Sequence, residues 1–169
     1  MESQEQEYKR IYYVDMDGVI ANFDKGFEEI AGVSPKTLSN DKLWEIINTH
    51  GKAKFFSDLP WMPDGKELWT FVTQNFLRVK ILTALGRSNK TDNQTTTGKK
   101  MWLRKNIPSL QDSDIIMVEN KHRKRHYSTP NSIIIDDTEV VIQEWTHKGG
   151  IGILHRNTRD TISKLEQYI

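Results

Sequence analysis

Asp15 and Asp17 stand two residues apart, directly after the apolar run Ile11-Tyr12-Tyr13-Val14 and directly before Gly18. Packing does not explain that order, because two unpaired carboxylates in a core would cost several kcal/mol each. The run reads as a strand buried on both faces, and such a strand delivers the two acids to its carboxyl end, where open α/β sheets place their ligands. A second acidic pair, Asp136-Asp137, follows the apolar run Ile133-Ile134-Ile135, and Thr83 closes the run Val79–Leu82. Together with a lysine from the basic stretch that starts at Lys121, these groups suit phosphoryl transfer, which needs charge neutralisation and in-line positioning more than strong acids.

The elements that must position these groups follow from the spacing of apolar residues. Phe23, Phe27 and Ile30 predict a helix from Asn22 to Ala31, stopped by Gly32, and Leu43, Trp44, Ile46 and Ile47 predict a second, stopped by Gly51. Residues 53–65 carry Pro60, Pro63 and several aromatics and read as an ordered loop. A helix over Lys66–Phe76 and a strand over Arg78–Ala84 come next, followed by a polar loop over 86–98 that reads as mobile and a helix over Lys99–Asn106. The remainder alternates: strand Asp114–Glu119, basic helix Lys121–Tyr127, strand Ser132–Asp137, helix through Val140 and Trp145, strand Ile151–Leu154 and a last helix from Asn157. Alternation of this kind predicts a parallel sheet with helices on both faces, with the strand ends at Asp15, Thr83, Lys121 and Asp136-Asp137 converging on one edge. Residues 24–65 break the alternation and leave the chain just after the acids, where a lid would be attached. Residues 1–10 have no apolar period and read as a frayed tail.

The chain has 169 residues, enough for one core and a small insertion. Its Lys+Arg count of 24 against Asp+Glu of 23 leaves a net charge of +1, so any anion site is local rather than global. The absence of cysteine excludes disulfides, thiolate catalysis and Cys-ligated zinc. Met1–Glu7 is acidic and polar, unlike a signal peptide, and no apolar run approaches the ~18 residues of a membrane span. The expectation is a soluble, cytoplasmic protein with no membrane partner.

The motifs Asp15-Met16-Asp17-Gly18-Val19 after a hydrophobic strand, Thr83 at a second strand end, a lysine before a later strand, and Asp136-Asp137 resemble the haloacid dehalogenase (HAD) superfamily of aspartate-dependent phosphatases. More narrowly, Val14–Phe23 followed by Gly26-Phe27, Phe55-Phe56 before Leu59-Pro60-Trp61-Met62-Pro63, and Lys99-Lys100-Met101-Trp102 look like the 5′(3′)-deoxyribonucleotidase branch. The resemblance implies a three-layer Rossmann-like fold with a central parallel sheet. It also implies a HAD core formed by 11–23 and 66–169 and a small helical cap inserted over 24–65. Asp15 would be the nucleophile and Asp17 the acid and base, the residue that separates phosphatases from dehalogenases. Mg²⁺ would be held by the Asp15 carboxylate, the Asp17 carbonyl and Asp137, with Asp136 orienting that ligand. Thr83 and Ala84 would meet the phosphate, and Lys121 or Lys124 would balance its charge, Lys121 being preferred as nearer the strand end. Phe23 and Phe56 would stack on the substrate. Family members usually follow the motif threonine with Ser-Pro, where this chain has Ala84-Leu85, so Arg87 or Ser88 would have to replace a hydroxyl contact.

The implied activity is a Mg²⁺-dependent phosphomonoesterase acting on a small-molecule nucleotide. The alternatives are a phosphatase of another substrate, such as a polynucleotide 3′-phosphate, or a non-catalytic nucleotide- or Mg²⁺-binding module. The stretch Lys121–His126 invites nucleic acid as a partner, but the near-zero net charge favours a solvated helix face. Lys99 reads first as a solvated helix lysine and second as a phosphate contact.

Overall fold

Five short runs of β-branched and aromatic residues pair in a single parallel sheet of order β3-β2-β1-β4-β5. The computed structural model describes residues 4–86 and 93–169. β1 (Ile11–Val14) is central and lies between β2 (Val79–Ala84) and β4 (Ser132–Asp136). β3 (Ile115–Val118) and β5 (Ile151–Leu154) complete the edges. Tyr12, Val14, Ile81, Ile133 and Ile135 belong to the core on one face of the sheet, while Tyr13, Leu82 and Ile134 pack with Trp145 on the other. The central strands β1 and β4 are buried on both faces, as parallel sheets covered by helices require, and the edge strands β3 and β5 are mostly half-buried. The architecture is the parallel α/β one that the alternation predicts and the three-layer, Rossmann-like one that the resemblance implies.

The helices are α1 (Gln4–Lys9), α2 (Phe23–Ala31), α3 (Asn40–His50), α4 (Lys52–Ser57), α5 (Gly65–Asn75), α6 (Gln94–Asn106), α7 (Glu139–His147) and α8 (Thr158–Leu165). Their starts follow the capping residues: the Asn22 side chain accepts from Lys25 N, Ser39 from Lys42 N and Asn157 from Asp160 N. α2, α3 and α4 form an excursion between β1 and α5. Its ends are tied together, because Asn22 N donates to Pro60 O at 2.8 Å and Met62 N to Ile20 O at 2.7 Å.

Four elements depart from the sequence expectation. The residues read as a frayed tail contain α1, supported by the Lys9–Glu5 pair one turn apart at 2.9 Å. Lys52–Ser57, read as part of a loop, is the helix α4, since the prolines that end it come only at Pro60 and Pro63. α6 begins at Gln94, inside the stretch read as a polar loop. Threonine and glycine are poor helix formers, and here tertiary packing overrides them: Thr95 and Gly98 are buried, and a Cβ on Gly98 would stand 2.5 Å from Ala53 O and 2.8 Å from Phe56 Cβ. The remaining loop assignment, at 87–92, lies outside the described residues, as do Arg87 and Ser88. Lys121–Tyr127 is a 3-10 helix rather than an α-helix.

Candidate active site

The register of the sheet builds the site. Val14 pairs with Ile135 in adjacent parallel strands, and Asp15 N donates to Ile135 O at 3.0 Å, so Asp15 and the Asp136-Asp137 pair leave the sheet side by side. Carboxylate oxygens of Asp15, Asp136 and Asp137 lie within 4.8 Å of one another. Immediately after Asp15 the chain turns sharply: Met16 O accepts from the backbone N–H groups of Val19, Ile20 and Ala21. Gly18 sits in this turn at φ +83°, and a side chain there would overlap the Asp137 carboxylate. The glycine after the acids thus serves the close approach of two loops.

Two ammonium groups meet three of the four acids. Lys124, almost fully buried, donates to Asp15 Oδ1 at 2.8 Å and to Asp136 Oδ2 at 2.7 Å. Thr138 N donates to the other oxygen of Asp136 at 2.9 Å, so Asp136 is held at both oxygens. Lys99, also buried, donates to Asp17 Oδ2 at 3.0 Å, Thr83 Oγ1 at 2.8 Å and Ala84 O at 2.7 Å. The second oxygen of Asp17 is buried with no hydrogen-bond partner among the described residues.

Burial raises the Asp15 carboxyl above the usual carboxylate range, and the neighbouring Asp136 charge adds to that, against the pull of Lys124. Asp137 is pushed up to about 8, first by burial and then by the charges of Asp15 and Asp136. Burial alone would lower the Lys124 ammonium, but its two carboxylate partners outweigh that and raise it above the ordinary lysine value. Four carboxylates against two ammonium groups leave a deficit of two positive charges. An all-oxygen donor set with that deficit fits a hard divalent cation, whose charge would favour the ionised form of Asp137 against the burial and repulsion that raise it.

Asp15, Asp17, Asp137 and Thr83 line a cavity of about 410 Å³, together with Phe23, Lys121 and Lys124. A second cavity of about 550 Å³ shares Asp17, Phe23, Ala84 and Lys121 with the first and is walled by Trp44 and Phe56. The aromatic wall is continuous: ring centroids are 6.2 Å apart for Phe23–Phe56 and 6.4 Å for Trp44–Phe56.

The structure therefore gathers Asp15, Asp17, Thr83, Ala84, Lys121, Lys124, Asp136, Asp137, Phe23 and Phe56 around one pair of joined cavities. Between the rival lysines it is Lys124, not Lys121, whose ammonium reaches the acids. Nearness along the chain misleads here because a 3-10 helix has three residues per turn. Lys121 and Lys124 share a face, with Lys121 at the rim and Lys124 one turn deeper. Lys99 is a central member of the site that sequence reasoning ranked as solvent-facing. Its signal was the position of Lys99 three residues before Trp102 on α6, which turns both toward the core.

No protein-family model and no curated protein matches the sequence. Solved structures do. A hydrolase from Pseudomonas syringae superposes with a TM-score of 0.52 at 12% identity, over 95% of this chain and 99% of that one. A hydrolase from Streptococcus pneumoniae gives 0.50 at 8% identity, over 93% and 98%. A HAD hydrolase of family IA, variant 3, from Entamoeba histolytica gives 0.50 at 16% identity, over 94% and 88%. At these identities the likeness is one of fold: this chain has the fold of HAD-type hydrolases along nearly its whole length.

Proposed function

We propose that the protein is a Mg²⁺-dependent phosphomonoesterase of the HAD type whose substrates are nucleoside monophosphates. The observation that carries the reading is the cluster of Asp15, Asp136 and Asp137 within 4.8 Å, bridged by Lys124 and set beside Asp17 at the carboxyl edge of a parallel sheet. Asp15 attacks phosphorus, the bond from phosphorus to the leaving alcohol breaks, and Asp17 protonates the departing oxygen. Asp17 then takes a proton from the water that attacks the aspartyl-phosphate, which frees phosphate and regenerates Asp15. Lys124 holds the nucleophile in place, and Asp136 fixes Lys124. Lys99, whose three N–H groups go to Asp17, Thr83 and Ala84, orients Asp17, and the Thr83 hydroxyl offers a donor to the phosphate oxygens. The carboxylates of Asp15 and Asp137 and the Asp17 carbonyl would hold Mg²⁺, which would supply neutralisation of the phosphoryl charge. Residues 24–65 act as the cap, and Phe23 and Phe56 supply a stacking surface for a flat ring.

The test is a panel of dUMP, dTMP, 3′-monophosphates and 3′-phosphorylated oligonucleotides assayed with Mg²⁺. Turnover of the mononucleotides is expected. Turnover of oligonucleotides alone, with a steep loss of binding as salt rises, would replace this reading with a polynucleotide 3′-phosphatase docked on Lys121–His126.

A further inference from the structure

The second cavity has a polar corner that the chemistry of Asp15 and Asp17 does not use. It is formed by Asn120, Lys121 and His122, at the start of the 3-10 helix. His122 Nδ1 lies 2.5 Å from Glu144 Oε1 on α7, and Glu144 Oε2 is 3.6 Å from Arg125 Nη1. The Glu144 carboxylate accepts from Nδ1–H, and in the neutral ring the distal nitrogen Nε2 is then an acceptor, on a residue that lines the cavity. Asn120 Oδ1 is committed to the helix start, accepting from His122 N at 3.0 Å, which leaves the Asn120 side-chain N–H groups as donors. Acceptor and donors therefore stand side by side at the cavity that Trp44, Phe56 and Phe23 wall with rings.

We propose that His122, oriented by Glu144, recognises the hydrogen-bonding edge of a heterocyclic leaving group, with Asn120 beside it as the donor. Glu144 is then a positioning residue that acts through the imidazole. The inference rests on the phosphatase reading above and adds to it the part of the substrate that sets specificity. A ring stacked on aromatic walls alone is held without regard to its edge. The corner is open to water, with the His122 side chain 51% exposed, so discrimination comes from the hydrogen bonds that it adds to a matching edge.

The experiment compares kcat and KM for deoxynucleoside monophosphates with those for phenyl phosphate, a flat-ring ester without a hydrogen-bonding edge, using the full chain and Mg²⁺. The native protein is expected to prefer the nucleotides. His122→Ala should lower the ratio of nucleotide to phenyl phosphate kcat/KM about ten-fold, through KM rather than kcat. Glu144→Ala should move the ratio in the same direction by less, and His122→Gln, which returns a polar group near the distal nitrogen, should recover part of it. An unchanged ratio in His122→Ala, or a parallel fall for both substrates, overturns the proposal. Turnover of phenyl phosphate with no nucleotide preference overturns it as well but leaves the phosphatase reading standing. If neither ester is hydrolysed, the phosphatase reading fails. Calorimetric titration of deoxyuridine then decides the proposal: weaker binding to His122→Ala upholds it, and equal binding overturns it.

Discussion

Asp17 and Asp137 are both aspartates beside buried lysine and aspartate charges, yet their surroundings set them different tasks. Asp17 is about one-third exposed, gives one oxygen to Lys99 and keeps the other unpaired among the described residues. That setting suits the acid–base role proposed for Asp17. Asp17→Asn is expected to lower turnover by ~10²–10⁴-fold, the usual cost of losing an acid–base group, and steady-state rates at saturating substrate would reveal it. Asp137 is raised to about 8 in the absence of metal, first by burial and then by Asp15 and Asp136. Below that pH the carboxyl carries a proton that an incoming cation must displace. Mg²⁺ affinity should therefore be weaker at pH 6 than at pH 8 by about ten-fold or more, since each unit below the pKa costs up to about a factor of ten. Calorimetric titration with Mg²⁺ at the two pH values would check this, and equal affinities would contradict the ligand role of Asp137.

At the scale of elements, the excursion α2–α4 is held against the core chiefly by α4 on α6, and Gly98 sets how closely they approach. Gly98→Ala has no room for its methyl group and should destabilise the protein by ~1–3 kcal/mol, the usual cost of overpacking. Urea unfolding would measure it, and a midpoint equal to that of the native protein would mean that the two helices are not locked together. This contact was not legible in the sequence. Gln94-Thr95-Thr96-Thr97-Gly98 has the composition of a loop, and only the presence of α4 makes it helical. The same blindness hid Lys99, because its spacing from Trp102 is a sign only once the segment before it is known to be helical. By contrast, β1, β4 and β5 were legible as apolar runs, and the starts of α2, α3 and α8 were legible from Asn22, Ser39 and Asn157. Local hydrogen bonding decides those positions, whatever packs around them. Lys124 was legible as a candidate, but choosing it over Lys121 required the pitch of the helix.

At the scale of the whole molecule, the strand order β3-β2-β1-β4-β5 makes one site from residues far apart in sequence. Because β1 lies between β2 and β4, Asp15 has Thr83 on one side and Asp136-Asp137 on the other. The excursion leaves from the turn after Asp17 and returns at Pro60–Met62, which brings Phe56 and Trp44 over the same edge. Acids, cations and aromatic wall are thus consequences of a single topology. The most direct test of this account is release of inorganic phosphate from a nucleoside monophosphate by the native chain and by Asp15→Asn, each assayed with Mg²⁺ and again after chelation. The account predicts release by the native chain with Mg²⁺, loss of release on chelation, and none from Asp15→Asn under either condition. Release by Asp15→Asn at the native rate would contradict it.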